Sequence, residues 1–294
     1  MDKFISNLKA TFRQGDIVTR LLYINVGLFL AVTVTHIVCA LFKLPAGQWA
    51  TWLELPASFT RFIGQPWSLV SYMFLHLHPM HLLFNMLWLY WFGRLFLGFF
   101  SSRHLRGLYL LGGIGGGLLY MAAFHIFPLY ADLAAVSYLL GASASVLAIV
   151  FAIGLSQPDY EIQLLLFGRV KLKYIAFAVF VIDLLFITSD NGGGHVAHIG
   201  GAMAGGWFAR GMQKGYDVTD WINRLLDLFR WPKPSPRRPK MKVHVGGRSA
   251  GAATVARKKE RTEEMDRILD KLRTSGYGSL SEDEKKSLFD GGKR

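Results

Sequence analysis

The sequence predicts an all-α membrane protein: a bundle of six transmembrane helices followed by a cytoplasmic tail that carries a short helical hairpin. Three observations predict it. Of 294 residues, 52% are hydrophobic and only 18% are charged, against about 25% charged in soluble domains. The apolar residues are clumped into stretches close to the ~20 residues that a bilayer-spanning helix needs. The basic residues also alternate along the chain. They gather at Lys3, Lys9, Arg13 and Arg20, at Arg103 and Arg106, at Arg169, Lys171 and Lys173, and after Lys214, whereas residues 126–132 and 189–194 hold none. This positive-inside pattern places both termini in the cytoplasm and requires an even number of spans. It also accounts for the net charge of +13, which in a soluble protein would suggest nucleic acid; no nucleic-acid partner is expected.

Residues 1–20 read as a short cytoplasmic segment. The first span, residues 21–42, is too long for a signal-peptide core and lacks a small-residue cleavage site after it, so it is expected to remain as an anchor. Residues 43–65 read as a long outer loop, with Trp49, Trp52 and Phe59 suited to a membrane interface. Further spans begin at Pro79, Leu105, Leu133, Tyr174 and Val196, which makes residues 21–212 the membrane domain. Residues 213–260, basic and rich in Pro and Gly, read as a linker. In residues 261–294, Met265, Ile268, Leu269 and Leu272 recur at helical spacing, and Gly276 and Gly278 break the chain. Ser281 and Glu284 then resemble a capping box. Cys39, the single cysteine, excludes an intrachain disulfide and a cysteine-based zinc site.

Polar groups inside a spanning helix are costly and mark function. His81 and Asn85 stand four apart and share a helix face. Ser143 follows Gly141 and Ala142, so little shields its hydroxyl. His198 lies in a segment where Gly201 and Gly205 form Gly-x-x-x-Gly; Gly141, Gly201 and Gly205 read as helix-packing positions. A serine needs a base to become nucleophilic, histidine titrates in the right range, and attack on an amide needs donors for the carbonyl oxygen. Ser143, His198, His81 and Asn85 supply these roles together.

The order H-x-x-x-N, then G-x-S, then A-H-x-G-G-x-x-x-G, each on its own hydrophobic segment, resembles the rhomboid intramembrane serine proteases over roughly residues 21–212. The run "YMFLHLHPMHLLFNMLWLYWFG" is especially similar to the family's second helix. The resemblance implies a six-helix core, a Ser–His dyad with no acidic third member, and a water-filled cavity open to the outer face, where a substrate's transmembrane segment is cut. It implies Ser143 as nucleophile and His198 as general base. His81 and Asn85 would help the Ser143 backbone N–H bind the oxyanion, and His76 would support the site at the cavity. The chain departs from the family at Ala144, where glycine is common, and at Leu147, where many members stack an aromatic on the catalytic histidine. It departs also at Trp67-Ser68, where the family has Trp-Arg in the first outer loop.

Other polar residues carry blander readings. Ser145 faces elsewhere on its helix, and His195 is expected at the outer end of its helix. His78 is expected at the interface, and His36, His104 and His125 at loops or helix ends. Asp183 could orient a histidine, but its place in a short helix favours a solvated or loop-capping acid. "LGGIGGG" at residues 111–117 reads as close helix packing, not a phosphate loop. The expectation is therefore a serine endopeptidase acting on single-span proteins in the lipid bilayer of a bacterial plasma membrane, without metal or cofactor and with no sequence signal for an oligomeric state. One rival is an inactive relative that binds transmembrane segments. Another is a metal or proton transporter using His76, His78, His81, His195 and His198, which leaves the Gly-Ala-Ser frame unexplained and has no Asp or Glu close by in sequence.

Overall fold

The computed structural model describes residues 2–44, 49–164, 168–228 and 250–291. The chain divides into two compact units, Met1–Trp231 and Pro232–Arg294.

The first unit is mostly helical. After α1 (Asp2–Gln14), α2 (Ile17–Leu41) is started by Asp16, whose side chain accepts from the Thr19 N–H at 2.9 Å. The same carboxylate takes Arg94 Nη1 at 2.6 Å, joining the start of α2 to the end of a later helix. The loop that follows holds a short strand β1 (Leu55–Pro56) and the short helices α3 (Phe59–Gly64) and α4 (Ser68–Ser71); residues 45–48 of the expected outer loop lie outside the described residues. α5 (Pro79–Leu97) opens on Pro79, whose missing N–H is not needed in a first turn. α6 (Ser102–Ile126) opens on a capping box between Ser101 and His104. The single turn α7 (Pro128–Ala131) and strand β2 (Tyr138–Leu139) lead into α8 (Ser143–Ser156). A hairpin of β3 (Glu161–Leu164) and β4 (Gly168–Lys171) connects α8 to α9 (Leu172–Leu185), and α10 (Gly192–Gln213) and α11 (Asp220–Leu228) complete the unit.

Each of the six apolar segments forms a helix, namely α2, α5, α6, α8, α9 and α10. By length and composition α2 and α6 are fit to cross a membrane on their own, while α8 is apolar but shorter. The fourth helix starts ten residues later than the Leu133 expected. Pro128 breaks the chain, β2 pairs antiparallel with β1 (Leu55 with Leu139, Pro56 with Tyr138), and Gly141 has φ +119°, so residues before Ser143 cannot join the helix. The linker reading of 213–260 also needs correction. Residues 220–228 form α11, tied to α6 by Arg103 and Arg106, which bind Asp220, Asn223 and Asp227. The central part of that linker, residues 229–249, lies outside the described residues.

Helices α6, α8 and α10 form the centre, and glycine sets their spacing. A Cβ on Gly116 would stand 2.5 Å from Ala144 Cβ and 2.7 Å from Ala197 O. On Gly200 it would stand 2.6 Å from Gly115 O, on Gly201 it would strike Ala144 O, and on Gly205 it would strike Ala148 O. The glycines of residues 111–117 thus serve close packing. Large apolar side chains cover the outside instead: Leu30, Val34, Phe84, Trp91, Phe177, Leu185 and Met203 are all exposed. An apolar surface on that scale belongs against lipid rather than water.

The second unit is a hairpin of α12 (Ala250–Ser275) and α13 (Glu282–Gly291). Among the described residues, Ile268 and Leu280 are its buried apolar side chains. Ser281 and Glu284 form the expected capping box: the Ser281 N–H donates to Glu284 Oε2 at 2.7 Å, and the Glu284 N–H to Ser281 Oγ at 3.3 Å. Lys271 Nζ reaches the same carboxylate at 2.8 Å, and these bonds hold Glu284 well below the usual carboxylate range.

Two substitutions on one helix test the glycine packing. Gly201→Ala drives a methyl into the α8 backbone and should cost about 1–3 kcal/mol, as overpacking does. Gly206→Ala meets only Leu155 Cδ1 at 3.5 Å and should be neutral or stabilising by up to about 1 kcal/mol, from helix propensity. Unfolding of the two variants in detergent, compared with the parent, reads the difference.

Candidate active site

Ser143 is the first residue of α8. Its N–H therefore has no place in the helix ladder, and the helix N-terminus favours negative charge beside it. The chain leading to it is pinned at each step. The Gly141 N–H donates to Tyr72 O at 2.9 Å, and the Ala142 N–H donates to His76 Nε2 at 3.4 Å. Gly141 has the positive φ that disfavours any side chain, and a Cβ there would stand 2.7 Å from His81 Cε1. Glycine is thus required by the turn and by the approach of the His81 ring. This corrects its reading as a helix-packing residue; Gly201 and Gly205 keep that reading.

A cavity of about 810 Å³ opens in front of the serine, lined by His81, Asn85, Ser143, Asp183, His195 and His198 among others. His81 and Asn85 lie one turn apart on α5, and Asn85 Nδ2 donates to His81 O at 2.9 Å. The Asn85 amide keeps a second N–H. His76 is fully buried and is not part of the cavity wall. It packs edge-on against His81, ring centroids 5.1 Å apart, and acts on the site through the Ala142 N–H.

His198 stands in the second turn of α10, with Nδ1 2.7 Å from Asp183 Oδ1. His195, one turn earlier, has its Nδ1 2.8 Å from the same oxygen. Asp183 is only 4% exposed. This overturns the reading of Asp183 as a solvated or loop-capping acid and brings His195 into the site. Asp183 lies 12 and 15 positions before its two partners, on another helix, so no spacing rule joins them; an acid inside an apolar run was the available signal. The ligand atoms of Asp183, His195 and His198 all lie within 4.8 Å of one another, a set able to hold a metal ion. The carboxylate that a metal reading lacked in sequence is therefore present in space, although both imidazoles use Nδ1 on it.

The Ser143 hydroxyl makes no hydrogen bond with another described residue. Such bonds are often loose until substrate binds. Ser145 is buried on another face, 3.8 Å from Met73 Sδ. His78 is the residue before α5 and lines the cavity, while His104 and His125 bond within or near α6. The outer loop lacks the Trp-Arg pair but is tied by other bonds. Gln65 Nε2 donates to Thr51 O and Glu54 O, Trp67 Nε1 to Trp52 O, and Arg61 to the Tyr138 hydroxyl.

A family model described as Rhomboid domain matches residues 63–214. Another, described as Family of unknown function (DUF6576), matches residues 254–290. No curated protein matches the chain.

Gly141→Ala tests the turn before Ser143. The strained backbone alone should cost about 1–3 kcal/mol, and the added methyl must displace the His81 ring. Thermal unfolding in detergent reads the cost, and retention of the parent's melting temperature would contradict it.

Proposed function

Because the chain belongs to the rhomboid family, we propose that it is a serine endopeptidase that cleaves the transmembrane segments of single-span proteins. Membership makes it an integral membrane protein. The observation that carries the proposal is the position of Ser143 at the head of α8, on the wall of the cavity that also holds His198, His81 and Asn85.

In this reading Ser143 Oγ attacks the carbonyl carbon of the scissile peptide bond as His198 Nε2 takes the hydroxyl proton. The carbonyl oxygen becomes negative and is held by the Ser143 N–H, His81 and Asn85. The tetrahedral intermediate collapses when His198 returns the proton to the leaving amine, and the new N-terminus departs. Water then attacks the acyl-enzyme and gives its proton to His198, which passes it to Ser143 Oγ as the acyl C–O bond breaks and the carboxyl product leaves.

The six helices α2, α5, α6, α8, α9 and α10 are proposed to cross the bilayer within a membrane domain of residues 21–212, with both termini on the basic, cytoplasmic side. The 14 residues of α8 span about 21 Å, less than the ~30 Å of hydrocarbon. Ser143 would then sit below the outer membrane surface. Irregular backbone is tolerated at that depth only when buried in protein or lining a wet cavity, which is the setting of residues 137–142. A helical substrate hides its peptide bonds, so helix-breaking residues near the outer face favour cleavage.

The test is proteolysis in liposomes, with a single-span reporter carrying Gly and Pro near its outer end. The parent should cleave it, and Ser143→Ala and His198→Ala should not. His81→Ala and Asn85→Ala should each slow cleavage by about 10²–10³-fold, the loss typical of one oxyanion donor. Cleavage retained in Ser143→Ala would overturn the proposal. A reporter bound but uncut by the parent would favour a non-catalytic binder of transmembrane segments.

A further inference from the structure

The geometry points to Asp183 as a positioning residue for His198, behind the Ser143–His198 pair inside the bundle; this rests on the protease reading. The resemblance implied a dyad without an acid, and the sequence offered Asp183 only as the less favoured of two readings.

Asp183 Oδ1 lies 2.7 Å from His198 Nδ1 and 2.8 Å from His195 Nδ1. A carboxylate oxygen accepts and an imidazole N–H donates, so this placement suits a proton on each Nδ1, aimed at Asp183 Oδ1. A neutral imidazole protonated at Nδ1 has a bare lone pair at Nε2. That lone pair is what the Ser143 hydroxyl needs as its proton acceptor. The tautomer with the proton on Nε2 could not take it.

Three further features fit the role. Asp183 is almost fully buried, and burial away from water strengthens its pull on the imidazolium that forms when Ser143 gives up its proton. The proton moves from Ser143 Oγ to His198 Nε2, while the Nδ1 proton stays on the imidazole and the carboxylate stays ionised. His195 also clamps the ring. Its centroid lies 5.6 Å from that of His198 at 79°, and Phe186 of α9's end stacks on His195 at 5.8 Å. Leu147 on α8 offers no ring for this purpose, so ring support comes from α10 and the end of α9. The two histidines can share one acid because they stand at i and i+3 on one helix face.

The test uses the full chain in detergent and a fluorescent fluorophosphonate, with the labelling rate of Ser143 as readout. Asp183→Asn and Asp183→Ala should slow labelling by about 10²–10⁴-fold, as loss of the orienting acid does in serine proteases, while thermal unfolding checks the fold. Asp183→Glu should recover part of the rate. Labelling of Asp183→Asn at the parent's rate would overturn the role of Asp183 and leave the protease reading standing. A folded parent that never labels would overturn both. A second measurement needs no variant at position 183. Nitrogen NMR of histidine-labelled protein, with His198 assigned by the loss of its signal in His198→Gln, should find its proton on Nδ1. A proton on Nε2 instead would overturn the inference.

Discussion

The Ala144 carbonyl lies where the side chain of residue 201 would otherwise be, and the site depends on that contact. Helices in lipid are not driven together by the hydrophobic effect, so close packing and polar bonds must hold them. Glycine faces on α6 and α10 admit α8 between them, through Gly116 on one side and Gly201 and Gly205 on the other. The register follows. Ser143 directly precedes Ala144, and His198 lies three residues before Gly201, one turn nearer the start of α10. Fixing Gly201 on Ala144 therefore brings His198 to the level of Ser143, and both face the same cavity.

A second constraint is that polar groups inside an apolar bundle must find partners. The segment bearing His76 is held to α6 by hydroxyls: Tyr72 donates to Gly113 O at 2.6 Å, and Tyr109 donates to Met73 O at 2.9 Å. Asn25 on α2 donates to the Tyr109 hydroxyl at 3.3 Å, which extends the network across three elements. That scaffold sets His76 beneath the Ala142 N–H and against His81. On the far side of the cavity Asp183 satisfies two imidazoles at once. The same bonds that make these groups tolerable in the bundle orient them toward the serine.

Much of this was legible in the sequence, and the limits have physical causes. Apolar runs marked all six main helices, because a run of that length has few other uses. The H-x-x-x-N pair and the glycines at 201 and 205 were legible because helical spacing alone puts such residues on one face. The start of α8 was missed. The residues before Ser143 are as apolar as those after it, and hydropathy cannot see that β2 and the positive φ of Gly141 stop the helix there. Asp183 was misread because its partners lie on another helix, and periodicity carries no information between helices. α11 was folded into the linker because its ties, Arg103 and Arg106 to Asp220 and Asp227, run over a hundred residues.

In the protease reading the head of α8 supplies both an activated serine and a donor for the oxyanion. A crystal structure of the protein after reaction with a fluorophosphonate tests it most directly. Phosphorus should be bonded to Ser143 Oγ, with the phosphoryl oxygen accepting from the Ser143 N–H and facing His81 and Asn85. An adduct on Ser145 or any other residue, or a phosphoryl oxygen turned away from these donors, would contradict it.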